Sequence, residues 1–340
     1  MRRLVIILLS IVVSGIFLWL ALRNVDINRV LDGIRQADGG WILLSTLTIS
    51  LGLWARAYRW YGLLDFKAPL IQTGHILNLG FLLNLLPLRV GEVARSLLIT
   101  RAGVPVVTAA TSVVLERMLD TLLVVIMLVV TIPRLPNVPA AITGPTNVFG
   151  IAVIAAFVVM VFFARFPAIG HKAVALAERL LPFLKRLGLS RLFDHALDGL
   201  KPLTHLRSGV HAIVWTLISW AFSIITVYAI VRAMNMLDTN QVPLGDIQII
   251  LLTVMGLSLA ALSIAVPVSV AGLGPFQAAL LAAGQAVGAN ADQSLSLGFL
   301  FHGMNIFGYA LWGIIGFVAL GVALSDLFGS KPPAPAPETS

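Results

Sequence analysis

Asn84-Leu-Leu-Pro87-Leu-Arg89-Val-Gly91-Glu92-Val-Ala-Arg95 sets three charges and a Pro/Gly break inside a long apolar run. A charged side chain at the centre of a membrane-spanning helix costs on the order of 2.5 to 3.5 kcal/mol on insertion scales. Three of them at a helix break point to a polar interior that does something, not to a plain span.

The surrounding sequence supplies the lipid setting for that argument. Of 340 residues, 59% are hydrophobic and 11% are charged, with a mean hydropathy of +0.97, against about 25% charged residues in a soluble chain. Apolar runs near or above the roughly 18 to 20 residues that cross a bilayer recur from Leu4 to Ala319, and the ten-residue alternation of a barrel is absent. The chain therefore reads as an all-α polytopic membrane protein. Its formal charge is +8, but the basic residues lie between apolar runs, which is the positive-inside bias and not a nucleic-acid surface. The absence of cysteine excludes disulfides, thiolate metal sites and thiol catalysis. No HExxH-like spacing indicates a metal. No Walker A, G-x-S-x-G or kinase-like loop indicates a nucleotide, a cofactor or hydrolysis.

Outward from the opening stretch, the N-terminal side begins with Arg2 and Arg3 ahead of a retained first span, Leu4 to Leu22, which places the N-terminus in the cytoplasm. A short interfacial helix is expected between Arg23 and Gly40. Span two, Trp41 to about Leu64, carries Arg56 and Arg59 among Trp54, Tyr58, Trp60 and Tyr61. Two readings stand: an aromatic belt with snorkelling arginines, or an arginine pair holding a lipid phosphate at the membrane face. Leu70 to Arg101 breaks at Pro87, and each arm is short for a full span. It reads as a re-entrant hairpin entering from the cytoplasm, hinged at Pro87 and Gly91, with His75, Asn78 and Asn84 on its first arm.

On the C-terminal side, span three runs from Val104 to Ile132 with Glu116, Arg117 and Asp120 at its middle. A Pro-rich outer loop, Pro133 to Asn147, leads to span four, Val148 to Ala164, and then to a basic segment over 165–208. That segment's helical apolar spacing predicts amphipathic helices on the anionic inner leaflet. Span five is Val210 to Val231. Ile247 to Val266 then meets a second break, Pro267-Val-Ser269-Val-Ala-Gly272-Leu-Gly274-Pro275, with hinges at Pro267, Gly272 and Gly274, before Phe276 to Val287 turns back. The last span, about Ser294 to Leu324, carries His302 and Asn305. Residues 1–330 form a single transmembrane domain with about six full spans and two Pro/Gly-broken hairpins. The Pro/Ala-rich tail, 331–340, is expected to be disordered and cytoplasmic.

Placing Pro87 on Pro267 aligns Leu-Pro-Leu-Arg-Val-Gly with Val-Pro-Val-Ser-Val-Ala. The charge bias starts the first hairpin from the cytoplasm and the second from outside. Interrupted segments entering from opposite faces predict an inverted repeat with a site between its halves; the alternative is two unrelated kinks. Arg89, Glu92 and Arg95 are three apart, and Glu116 and Asp120 are four apart, so each set shares a helix face. Pairing the hairpin's arginines with the acidic face of span three is the economical arrangement. Such charges either fix helix register as a neutralised network or line a cavity in which arginines grip a phosphate bidentately. On the second reading, Arg89 and Arg95 touch the anion and Glu92 orients them. Arg117, Asn84, Ser269, Gln277, His302 and Asn305 complete the lining, and Glu116 or Asp120 is a candidate proton carrier.

Asn84-x-x-Pro87-x-Arg89-x-Gly91-Glu92-x-x-Arg95, Glu116-Arg117-x-x-Asp120 and Pro267-x-Ser269-x-x-Gly272-x-Gly274 together resemble the lysylphosphatidylglycerol synthase transmembrane-region family, also called flippase-like, from about Trp41 to Leu320. The resemblance implies a polytopic protein of the cell's inner membrane that moves lipids or lipid-linked headgroups between leaflets. Relatives that make lysyl-phosphatidylglycerol add a soluble aminoacyl-transfer domain, so that activity is not expected of this stretch. Many relatives carry an acidic residue where Gln277 stands. The expected function is translocation of an anionic phospholipid or lipid-linked headgroup, with membrane lipids as partners and no chemistry performed. The alternatives are a scaffold docking a lipid- or glycan-modifying enzyme through its basic segment, and an intramembrane enzyme using Glu116 or Asp120 as general base.

Overall fold

The computed structural model describes residues 27–86, 89–135, 140–181, 205–265 and 269–321, together with Trp19 and a few positions between 188 and 197. The expected first span, both hinge prolines Pro87 and Pro267, most of the basic segment beyond Leu181, and the tail lie outside the described residues.

Among the described residues every extended element is a helix: α1 Ile27–Arg35, α2 Gly39–Leu63, α3 Leu70–Leu83, α4 Val90–Leu98, α5 Val106–Thr131, α6 Ala140–Arg165, α7 Pro167–Leu180, α8 Leu206–Ala233, α9 Asp246–Ala265, α10 Pro275–Val287 and α11 Ala291–Leu320. By length and hydropathy α8, α9 and α11 are each able to cross a membrane, and α6 with α7 makes a fourth candidate bent by 118°. Helices α2 and α5 have 25 and 26 residues, long enough to span, but are diluted by the charges they carry.

Local sequence sets the helix ends. Asp38 accepts a hydrogen bond from the Trp41 backbone N–H and starts α2, and Asn290 does the same for α11 through Asp292 and Gln293. Pro275 opens α10, where its missing N–H costs nothing. Helix α6 starts at Ala140 and not at Val148, so much of the Pro-rich loop expected over 133–147 is helical. The expected interfacial helix is α1, but it is docked on the protein: Val30 is buried with Leu295, and the Ser296 hydroxyl donates to the Val30 carbonyl at 3.2 Å. In α7, Leu176 and Leu180 are exposed on the same face as Lys172 and Arg179, so apolar and basic side chains are mixed there.

Two antiparallel hairpins interrupt the long helices. In the first, α3 and α4 meet at Gly80 and Gly91, and a Cβ on Gly91 would lie 1.8 Å from the Gly80 carbonyl oxygen. In the second, Gly256 of α9 packs on Leu280 and Ala283 of α10, and Gln248 Nε2 donates to the Val287 carbonyl at 3.1 Å. The long helices pack reciprocally. Helices α2 and α8 run antiparallel along each other, tied by the Asp38 N–H to the Ala233 carbonyl at one end and by His211 to the Tyr58 carbonyl towards the other. Helix α3 packs on α11, where Gly313 and Gly316 sit against the Asn78 and His75 backbone, and α9 packs on α5. Each hairpin thus rests on the long helix that follows the other hairpin.

Candidate functional site

The first break is a backbone event. Arg89 occupies the left-handed region at φ 51° and ψ 43°, an uncommon place for a residue with a Cβ. The turn aims its guanidinium across to the other hairpin, where Nη2 donates to the Ile264 carbonyl at 2.5 Å. Ile264 lies in the last turn of α9, whose carbonyls have no intrahelical donors, so a cation is favourable there. Arg89 Nη1 also meets Glu92 Oε1 at 3.3 Å, and Arg117 Nε pairs with the same oxygen at 3.0 Å.

Behind this wall lies a buried ionic layer. Glu116 Oε2 accepts from Arg95 Nη1 at 3.0 Å, and its Oε1 is 3.1 Å from Arg59 Nη2. Arg59 also reaches Asp120 through both terminal nitrogens, at 2.6 and 3.2 Å, and Trp220 Nε1 donates to Asp120 Oδ1 at 2.9 Å. The side chains of Arg59, Glu116 and Arg95 are 0%, 1% and 3% exposed, while Asp120 is 16% exposed. Arg95 further lies over the Trp60 ring, 5.2 Å from its centroid.

The second break is held by neutral polar groups. Gln277 Oε1 accepts from the Gly274 N–H at 2.8 Å, and its Nε2 is 3.1 Å from His302 Nδ1. His302 Nε2 is 2.8 Å from the Ala271 carbonyl, so that nitrogen donates while Nδ1 accepts from Gln277. This chain closes a turn in which Ala271, Gly272 and Gly274 all have positive φ, at 53°, 79° and 88°.

Between the two breaks is a cavity of about 440 Å³. Arg56, Arg89, Glu92, Arg117 and Asp120 form its charged side, with the Asn84 amide among them; Ser269, Gly272, His302 and Asn305 face it from the second half. Phe81, Leu257, Phe301 and Tyr309 supply apolar wall. Arg56 donates from Nη2 to the Ser223 hydroxyl at 2.8 Å and among the described residues has no carboxylate within salt-bridge distance.

The structure therefore divides the expected lining. Arg95, Glu116 and Gln277 stand behind the cavity wall and do not line it: Arg95 Nη1 donates to Glu116, and Gln277 holds the Gly274 N–H and His302. Arg56 and Arg59, read as a pair at the membrane face, take separate places. Arg59 is fully buried between two carboxylates, and Arg56 lines the cavity. Sequence reasoning passed over α8, which brings Thr216, Ser223 and Thr226 to α2 and the cavity: Thr216 accepts from Arg59, and Thr226 bonds Thr48 at 2.8 Å. Their spacing of seven and three residues on an apolar helix was the available signal. Among the described residues no group of three His, Asp or Glu is placed to hold a metal ion.

The family described as "Lysylphosphatidylglycerol synthase TM region" matches residues 7–313. No curated protein matches the chain. A helical chain with one charged and one neutral polar break facing an interior cavity, matched over nearly its whole length, belongs to the lysylphosphatidylglycerol synthase transmembrane-region family of integral membrane proteins.

Proposed function

We propose that this protein is a lipid translocase of the cell membrane, which passes an anionic phospholipid or lipid-linked headgroup between leaflets through the cavity without altering it chemically. The observation that carries the reading is Arg56, a cation that among the described residues donates to a hydroxyl and is in no salt bridge, on the wall of a cavity that also presents Arg89 and Arg117. A guanidinium kept in an apolar protein without a carboxylate is costly unless an anion visits it. Arginine in turn grips phosphate oxygens through paired N–H groups.

The packing supports an inverted repeat as the machine. In this reading α2 to α5 and α8 to α11 are the two halves, related by the antiparallel α2 and α8 pair, and both hairpins are re-entrant. The count of about six spans then follows from α2, α5, α6, α8 and α11 with the N-terminal apolar run, α9 belonging to a hairpin despite its length. The direct hydrogen bond between the breaks, Arg89 to Ile264, lies where a headgroup would compete for the guanidinium. A phosphate captured there frees the α9 carbonyl and loosens one half from the other, which is how rocking of two halves about a fixed site would begin.

The test is reconstitution of the purified protein in phosphatidylcholine vesicles doped with acyl-chain-labelled anionic lipid. Leaflet exchange well above that of empty vesicles is expected. Exchange no faster than in empty vesicles, across anionic, zwitterionic and polyprenyl-phosphate lipids, refutes the reading.

A further inference from the structure

The charges of the membrane interior separate into two layers with different balances. Arg59 and Arg95 face Glu116 and Asp120, two cations against two anions, in the buried layer. Among the described residues Arg56, Arg89 and Arg117 share the cavity wall with Glu92 and with Asp120, and since the Asp120 carboxylate is already held by Arg59, three cations there face one anion that the buried layer does not use. His302, the one histidine of the wall among the described residues, accepts at Nδ1 and donates at Nε2, so it is neutral. The surplus of two positive charges therefore falls wholly on the cavity side. Its donors are also in excess: among the described residues Arg56 spends Nη2 alone, on Ser223, and Arg117 pairs through Nε, on Glu92.

We infer that the cavity takes a headgroup carrying two negative charges, a phosphomonoester or a diphosphate, in preference to a phosphodiester carrying one. This rests on the translocase reading for the site but not for movement. An uncompensated charge in a low-dielectric interior is expensive, and a dianion leaves none where a diester leaves one. A terminal phosphate also offers three acceptor oxygens to guanidinium groups approaching from three sides.

The experiment is retention. The full chain is equilibrated in phosphatidylcholine bilayers holding equal phosphatidic acid (a monoester) and phosphatidylglycerol (a diester), repurified, and its bound lipid weighed by mass spectrometry. Phosphatidic acid is expected to exceed phosphatidylglycerol on the order of tenfold, as one extra unit charge near a partly screened cation implies. Arg56→Gln, which removes one surplus charge, should bring the two lipids close to parity, and Arg56→Lys, which keeps it, should preserve the preference and report a folded site. Acidification below the second phosphate pKa, about 6, should erase the preference without changing phosphatidylglycerol retention. Equal retention of both lipids by the wild type, or a preference undiminished in Arg56→Gln, overturns the inference. Saturable binding of inorganic phosphate with no retention of phosphatidic acid overturns its lipid part. Selective retention without leaflet exchange would sink the translocase and leave the dianion site standing. Exchange of both lipids at equal rates with unselective retention would do the reverse.

Discussion

Glu116→Gln is the substitution in which the buried layer should be felt most. The carboxylate joins Arg95 at 3.0 Å and Arg59 at 3.1 Å with 1% of its side chain exposed, so neither guanidinium can turn to water when the charge is removed. Arg59 keeps Asp120, but Arg95 keeps only the Trp60 ring, since among the described residues its Nε and Nη2 have no hydrogen-bond partners. Breaking a buried pair by deleting one partner costs about 3 to 5 kcal/mol. That is a large fraction of a folded domain's margin, about 5 to 15 kcal/mol. Replacing both partners by apolar groups, as in Arg95→Met with Glu116→Leu, leaves no orphaned charge and should recover much of the loss, although Arg59 loses one of its two anions. Denaturant titration of the detergent-solubilised protein, followed by tryptophan fluorescence, reads both variants and the wild type. A Glu116→Gln loss under about 0.5 kcal/mol, the scale of an exposed pair, would refute the claim that this layer is dry and structural.

Three further outcomes follow from named contacts. Gly91→Ala places a Cβ 1.8 Å from the Gly80 carbonyl oxygen, so the first hairpin should open, with faster hydrogen exchange in α3 and α4 than in α8. Gln277→Leu strands the Gly274 N–H and His302 Nδ1 and should cost about 1 to 3 kcal/mol by the same denaturant titration. Arg89→Ala removes the bond to Ile264, and spin labels on Val93→Cys and Leu273→Cys should report a longer distance between the hairpins than in the Arg89 parent. An unchanged distance would mean that Arg89 does not hold them together.

What the sequence made legible were the features written locally. The break inside Leu70 to Arg101 and the second break before Pro275 appear as read, and of the hairpin's arginines Arg95 meets the acidic face of span three at Glu116, while Arg89 turns to Ile264 and Glu92 pairs the other way round with Arg117. The assignments that the structure divides depend on distant partners. Arg56 and Arg59 sit among tryptophans and tyrosines, which is the pattern of an interface. What draws them inward is α8, whose Ser223 and Thr216 lie 167 and 157 residues away in sequence. Likewise Arg95 shares a helix face with Glu92, but rotation of α4 about its close contact with Gly80 settles which of them meets the cavity. Spacing supplies the face of a helix, whereas the neighbour that covers it comes from tertiary packing.

The absence of cysteine in the chain permits a direct test of the central claim, that lipid passes through the cavity. Thr121 lines it. Leaflet exchange of labelled anionic lipid is measured in vesicles carrying Thr121→Cys before and after stoichiometric modification with a bulky methanethiosulfonate, with the unreactive wild type alongside. The account predicts that modification brings exchange down to the rate of empty vesicles while the wild type is untouched. Undiminished exchange in the fully modified variant would contradict it.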